Sequence, residues 1–312
     1  VKILKKLRVA VPAGIVAAIL AFAAFGQSEL NLNDAIDLQV HSSPDSAPRT
    51  IDADDLARLA KEKGMRGLVL KNHFESTAAL AYMVRKDVPG VEVFGGIALN
   101  RSVGGINLEA VKRMAMMKGG WGRVVWLPTI DSENFVKQQK KADPFVPVAQ
   151  KGHLLPDVLG LIDYLAQHRE IVLETGHISA EEALLVVHEA HQRGVAHLIV
   201  TNPMGPLVNM TIPQMQQAAA DGAYLELMYA AVIGPDPQHT MKEYGEAIRK
   251  IGPKFCILAS DLGGVGEGAH PLLHPQGLLN FMTGLRKEGV SVADINLMAK
   301  INPALVLGLR PE

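Results

Sequence analysis

The sequence predicts an α/β protein folded as a single closed (β/α)8 TIM barrel, and three observations lead there. After residue 30, apolar strand-like runs alternate with amphipathic helical runs through eight units. Several runs stop abruptly on polar residues: Asp37-Leu-Gln39-Val-His41, Gly67 to His73, Ile171 to His177, Leu198 to Asn202 and Ser260-Asp261. The first and last of these lie at opposite ends of the chain and meet only if the sheet closes, and polar groups at the carboxyl ends of barrel strands form a catalytic rim.

The elements follow in order. Ile36 to His41 reads as the first strand, and Asp52 to Lys63 as an amphipathic helix opened by Thr50 or Asp52 and stopped by Gly64. Arg66 to Lys71 is strand two, followed by a helix from Ser76 to Arg85. Val91 to Leu99 is strand three with its helix from Leu108 to Met117, in which Met114, Met116 and Met117 read as packing residues. Arg123 to Leu127 is strand four. Leu155 to Gln167, Glu170 to Glu174, Ala180 to Arg193 and His197 to Thr201 carry the alternation through strand six. Pro213 to Asp221, Tyr224 to Leu227, Met241 to Ile251 and Phe255 to Ala259 complete strands seven and eight, and helices from Pro275 to Glu288 and from Val292 to Leu307 close the chain. The stretches Pro128 to His153 and Asp261 to Pro275 are long for barrel loops, and after strands four and eight they fall on the catalytic face, where they can form a lid.

With 312 residues, 48% of them hydrophobic and 20% charged, the chain is long enough for one barrel and a short extension. A net charge of -1 supplies no long-range field for nucleic acid, so a small-molecule substrate is the expected partner. The single Cys256 excludes an intrachain disulfide and a multi-cysteine metal knuckle, and its apolar surroundings mark it as a core thiol. Lys2, Lys5, Lys6 and Arg8 precede an uncharged apolar stretch from Val9 to Phe25 and then Gly26-Gln27-Ser28. Residues 1–26 therefore read as a secretory signal peptide, with an uncleaved N-terminal anchor as the alternative, and residues 27–312 as the barrel domain. An exported, periplasmic or secreted location follows, with membrane contact only through that segment.

Strand alternation indicates which polar groups meet. Asp37, Gln39 and His41 are spaced by two and are expected on one face, as are Lys71 and His73, and Thr175 and His177; Glu174 should then point outward, while Glu226 is open between the two faces. His41, His73, His177, Asn202 and Asp261 are expected to converge above the barrel core. Imidazoles, an amide oxygen and a carboxylate around one point suit a divalent ion such as zinc. The glycine-rich run Asp261 to Gly268 lacks the register of a nucleotide-binding turn; its glycines let the chain bend over the mouth, and His270 and His274 in the same loop are substrate-facing or solvent-exposed. His188, His191 and His197 fall away from the rim and read as structural.

These residues carry a resemblance. Asp37-Leu-Gln-Val-His41, Lys71-Asn-His73, Thr175-Gly-His177-Ile-Ser179, Thr201-Asn-Pro203, Ser260-Asp261-Leu-Gly263 and Asn302-Pro-Ala-Leu-Val-Leu-Gly308 together resemble the amidohydrolase superfamily, the metal-dependent hydrolases of (β/α)8 fold, and within it an uncharacterised amidohydrolase-like family. The chain departs from that pattern at Gln39, where the superfamily has His, and at Asn202, where a His is expected on strand six. Trp126-Leu-Pro-Thr129 also supplies no bridging lysine on strand four. One ion, rather than two, is therefore expected.

The resemblance implies hydrolysis of an ester, lactone or amide. His41, His73 and His177, with Asp261 and Gln39, would hold the metal. Asp261 would be the general base, Lys71 a catalytic group polarising or anchoring an anionic part of the substrate, and Ser42, Ser43, Asn202 and His270 substrate contacts. The alternatives are a single-metal decarboxylase or hydratase on the same barrel and a binding barrel that has lost turnover.

Overall fold

Eight parallel strands, each leading to the next through helical crossovers, form one sheet in the computed structural model, which describes residues 30–233, 237, 239–265 and 272–311. They are β1 (Ile36–Val40), β2 (Gly67–Leu70), β3 (Glu92–Ala98), β4 (Gly122–Trp126), β5 (Val172–Glu174), β6 (His197–Thr201), β7 (Ala223–Met228) and β8 (Cys256–Ala259). The main helices are α1 (Ala53–Glu62), α2 (Ala78–Asp87), α3 (Leu108–Ala115), α4 (Glu133–Gln138), α5 (Pro156–Gln167), α6 (Ala180–Gln192), α7 (Ile212–Ala220), α8 (Met241–Ile251) and α9 (His274–Lys287). The sheet closes at its carboxyl rim: Val40 bridges Leu262, His41 N donates to Leu262 O at 3.1 Å, and Asp261 N donates to Gln39 O at 3.0 Å. The signal or anchor reading for residues 1–26 and the substrate role for His270 lie outside the described residues.

Two apolar shells hold the barrel. Ile36, Leu38, Val69, Phe94, Val124 and Trp126 fill its interior, closed at the amino end by Ala304, Val306 and Leu307. A larger shell, including Leu68, Leu70, Leu161, Val186, Ile248 and Phe281, lies between sheet and helices. Each such aliphatic side chain stabilises the fold by roughly 1.5–3 kcal/mol when fully buried. Gly96 makes room for the Trp126 ring: a Cβ there would come within 2.4 Å of it. Capping boxes at Ser179 with Glu182, Thr211 with Gln214 and Thr240 with Glu243 start α6, α7 and α8 where chain emerges from the rim.

Three readings of the sequence change. The stretch 128–153 is not bare loop: it contains α4, capped by Ser132, and a two-stranded hairpin, Ala149–Gln150 with His153–Leu154. The expected helix from Val292 to Leu307 is three pieces, α10 (Val292–Asn296), a π-helical turn (Leu297–Ile301) and α11 (Asn302–Val306). Pro303 lacks the N–H that would continue the α-helical ladder, and the register loosens just before it. Asn302 Nδ2 donates there to Cys256 O at 2.7 Å and Pro253 O at 3.0 Å, tying the C-terminal segment to the foot of β8. Of the three methionines read as packing residues, only Met114 is buried; α3 ends at Ala115, which leaves Met116 and Met117 exposed.

Candidate functional site at the barrel mouth

The site begins with an irregularity in β1. Asp37 pairs with Leu68 and Val40 with Leu70, so β1 holds one extra residue, a bulge that breaks the alternation. Asp37 therefore does not join Gln39 and His41 as expected. It turns to the β8 seam, where its Oδ1 accepts from Ser260 N at 3.0 Å, and burial raises its carboxyl pKa to about 7 against the hydrogen bonds from Ser260. Gln39 and His41 instead meet Asp261 across the seam: Gln39 Nε2 donates to Asp261 Oδ1 at 2.6 Å, and His41 Nε2 lies 3.2 Å from the same oxygen. Asp261 takes a left-handed backbone, φ 52°, which aims its carboxylate at them.

The two ring nitrogens of His41 have different tasks. Nδ1 lies 3.0 Å from Lys71 O, a carbonyl that can only accept, so the proton of a neutral ring belongs there. Burial lowers the His41 pKa against the pull of Asp261. Burial also pushes the Asp261 carboxyl up, but a proton on His41 Nε2, where one is present, the Lys71 charge and the Gln39 amide outweigh it and hold the carboxyl well below its usual range. A neutral His41 and an ionised Asp261 thus turn lone pairs toward each other, an arrangement completed by a cation or a proton between them.

His73 and His177 stand beside this pair. The His73 ring centroid is 5.1 Å from that of His41 and 6.0 Å from that of His177. His73 Nδ1 is held 2.8 Å from Thr129 Oγ1, which accepts from Asn100 Nδ2 at 2.7 Å, so Nε2 is the nitrogen left for a ligand. His177 Nδ1 is buried without a partner, and its ring stacks on Phe135 of α4 at 6.1 Å. Burial lowers the pKa of both, that of His177 to about 3, so both are neutral and open to a cation at physiological pH. Asn100 and Thr129 hold the rim in place and were absent from the sequence reading. The signal was available, since Asn100 ends the β3 run as Asn202 ends β6.

Below the imidazoles lies a layer of buried charge. Lys71 is 1% exposed, and its Nζ sits 5.4 Å from the Trp126 ring centroid with no hydrogen-bond partner. Burial lowers its ammonium pKa, opposed by Asp261, Glu174 and Glu226. Glu174 corrects the sequence reading: it points into the barrel, fully buried, its Oε2 accepting from Trp126 Nε1 at 2.8 Å and Thr201 Oγ1 at 3.0 Å. Val172 already faces the interior, so the residue two further on does as well. Glu226 is fully buried with both carboxylate oxygens unpartnered; burial and the nearby Glu174 push its pKa well up. Burial raises Glu174 to about 7, against Lys71.

A raised carboxyl pKa links stability to pH. The folded Glu174 holds its proton up to about 7 and the unfolded one to about 4.5, so its contribution is complete below 4.5 and lost as pH rises through 7. Glu174→Gln keeps an oxygen for Trp126 and Thr201 and removes the titration. The variant is expected to be more stable than the parent at pH 8 by about 1–3 kcal/mol and to show a flatter decline between those limits, measured by urea unfolding across pH.

The other expected contacts divide. Asn202 is at the rim with a left-handed backbone, φ 44°, and its buried Oδ1 has no partner. Ser42 is buried. Ser43 is tied by its backbone to Ile51 and Ala53 and lines a separate cleft of about 550 Å3 between α1 and α2. His274 is neither substrate-facing nor exposed: it is fully buried, its Nε2 2.6 Å from Leu262 O and 3.2 Å from His41 N, and burial lowers its pKa to about 4.

The donor set fits a divalent cation. The 3.2 Å between His41 Nε2 and Asp261 Oδ1 is the separation of two neighbouring ligands on one ion of this size, His73 Nε2 and His177 are free to join, and all three rings are neutral. The four are not drawn fully together: among the described residues, the group that places three possible ligand atoms within 4.8 Å of one another is Asp52, Asp54 and Asp55 at the start of α1. That cluster faces solvent, and Asp54 and Asp55 are already paired with Arg58. The rim, with its buried and unpartnered atoms, is the stronger candidate. Gln39 gives its amide N–H to Asp261, so its effect on an ion would pass through that carboxylate.

Several solved structures share the fold. Organophosphorus hydrolase from Deinococcus radiodurans aligns with a TM-score of 0.57 at 14% identity, covering 82% of this chain and 82% of the enzyme. A candidate 2-pyrone-4,6-dicarboxylic acid hydrolase from Pseudomonas putida aligns with a TM-score of 0.58 at 14% identity over 91% of this chain and 100% of that protein. An enzyme engineered for organophosphate hydrolysis from a weak promiscuous lactonase template aligns at 0.56 and 14% identity, over 82% and 85%. At such identities the likeness is one of fold, the (β/α)8 barrel that the rim motifs imply. No curated protein matches the sequence. A family profile covers residues 34–226, from the turn before β1 to Glu226 in β7, and the chain belongs to that family, a family of unknown function designated DUF6282.

Proposed function

We propose that the protein is a metal-dependent hydrolase that cleaves an ester or lactone bond, or an amide, in a small molecule. The observation that carries this is the His41–Asp261 pair, whose facing lone pairs at 3.2 Å are flanked by two neutral, buried imidazoles. His41, His73, His177 and Asp261 would hold one divalent ion, zinc being the best match to imidazole and carboxylate. When bound, the ion supplies Lewis-acid charge that acidifies water and polarises a carbonyl. Asp261, kept ionised by the Lys71 charge and the Gln39 N–H, accepts the proton of the attacking water and returns it to the leaving group. Lys71 lies beneath that point with unengaged N–H groups for an anionic part of the substrate, and the free Asn202 carbonyl can accept from a substrate hydroxyl. The hydrolase likenesses of the fold support the reaction class, and the basic and apolar pattern of residues 1–26 supports export to the periplasm or medium.

The first test is metal content. Protein loaded with zinc and exchanged into metal-free buffer is expected to hold about one equivalent, and His41→Ala, His73→Ala or His177→Ala well below that, measured by elemental analysis. Full metal in all three variants would remove the assignment. A lactone and ester panel on the loaded protein then tests turnover. A barrel that binds but does not react is the second reading, favoured by Gln39 and Asn202 standing where imidazoles are expected; bound metal with no turnover on any panel member supports it.

A further inference from the structure

The loop between β1 and α1 brings a buried arginine to the rim. Residues 43–53 fold back on themselves, Ser43 N donating to Ile51 O and Ala53 N to Ser43 O, both at 2.8 Å. The loop is also laced to the chain that follows Asp261: Arg49 bridges Gly264, and Thr50 N donates to Gly263 O at 3.2 Å. Gly263 in turn packs so closely on the His41 carbonyl that a Cβ would collide with its oxygen. The Arg49 side chain is only 8% exposed, and the fully buried side chain of Asp45 holds it through a single oxygen: Oδ2 accepts from Nε at 2.6 Å and lies 2.5 Å from Nη2. Nη1 has no partner among the described residues, so one edge of the donor fork is left over. The charge of Arg49 is felt at the site. Burial is the main reason that the pKa values of His41, His73 and Lys71 are lowered, and the guanidinium adds to it in all three. The charges acting on His177 are those of Lys71, Asp261 and His41, which puts Arg49 on the His41–His73 side of the rim.

We propose that Arg49 holds a carboxylate of the substrate and that, given the hydrolase activity proposed for the same rim, this substrate is a lactone or ester carrying a free carboxylate. A guanidinium gives a carboxylate directed N–H groups and a charge that pH does not remove, and the loop that carries this one is fixed at both ends. Lys71 adds charge from below, where Asp261, Glu174 and Glu226 already share it. A neutral substrate covering the rim would strip water from Nη1 and return no hydrogen bond, which disfavours it against an acid of the same shape. Water opening a carboxylated lactone leaves a hydroxy dicarboxylate, so simple dicarboxylates resemble the product.

The test is isothermal titration calorimetry on the full chain loaded with zinc, using the dicarboxylates from malonate to adipate, each paired with its monoamide. Both members of a pair offer the ion one carboxylate, and only the diacid has a second for Arg49. At the best-fitting length the parent is expected to bind the diacid roughly tenfold more tightly than the monoamide, and Arg49→Gln to remove most of that ratio. Arg49→Gln leaves the buried Asp45 unpaired, so Asp45→Asn with Arg49→Gln is measured beside it and is expected to show the same loss. General damage to the rim weakens both ligands alike and cancels in the ratio. A parent that favours the diacid at no length overturns the proposal. So does a preference that survives in both variants, which would make Arg49 a brace for the loop alone. Calorimetry needs no turnover: a parent with the preference but without activity on carboxylated lactones would remove the hydrolase reading and leave Arg49 as a carboxylate site.

Discussion

Asp261→Asn is expected to fold, to keep most of its metal, and to lose hydrolytic rate by a factor on the order of 100 or more. The folding expectation is specific. Asp261 has φ 52°, and Asn tolerates this left-handed backbone as Asp does, whereas Asp261→Ala would add strain of about 1 kcal/mol. The Asn carbonyl oxygen still accepts from Gln39, and its N–H can meet His41 Nε2, so the seam between β1 and β8 stays closed. What disappears is the charge and the ability to take a proton. Steady-state kinetics on a substrate established for the parent, with metal content measured on the same sample, decides it: unchanged turnover at normal metal content would remove Asp261 from the proton-transfer role.

Lys71→Met should have the largest effect on stability. Methionine fills much of the same volume beside Trp126 but leaves Asp261, Glu174 and Glu226 without their buried counter-charge. Breaking such an interaction from one side costs on the order of 3 kcal/mol. Adding Glu174→Gln is expected to recover a large part of that loss at about pH 8, where a carboxyl that titrates at about 7 is ionised beside the ammonium and the neutral amide no longer needs that counter-charge. Equal losses with and without the second substitution, in urea unfolding at that pH, would show that Lys71 and Glu174 do not interact.

The rim was legible because its signal is local. An apolar run that stops on His, Lys, Asn or Asp marks a strand end, and helix periodicity located the crossovers, most boundaries falling within two residues of those observed. Faces were less legible. Counting by twos placed Asp37 with His41 and Glu174 outside the barrel. The bulge in β1 overrides the first count, and the left-handed Gly176, φ 62°, turns the chain between Glu174 and His177, so both reach the interior although three residues apart. Bulges and left-handed turns change side-chain direction without changing composition, and a pattern of apolar and polar letters does not record them. The buried layer of Lys71, Glu174 and Glu226 was hidden for a related reason: each looks like an ordinary charged residue until the closed sheet places them together.

The closure of the barrel also sets an order of events. Gln39 and His41 are made early, and Asp261, their partner across the seam, more than two hundred residues later. On the ribosome, every fragment that stops short of β8 holds the imidazoles without the carboxylate that completes the set. On the proposed metal reading, capture of an ion would then await the last strand's arrival, because a chain that ends before it lacks the carboxylate. A loaded ion would lock the two ends of the domain together, and its removal would be felt first as fraying at the seam.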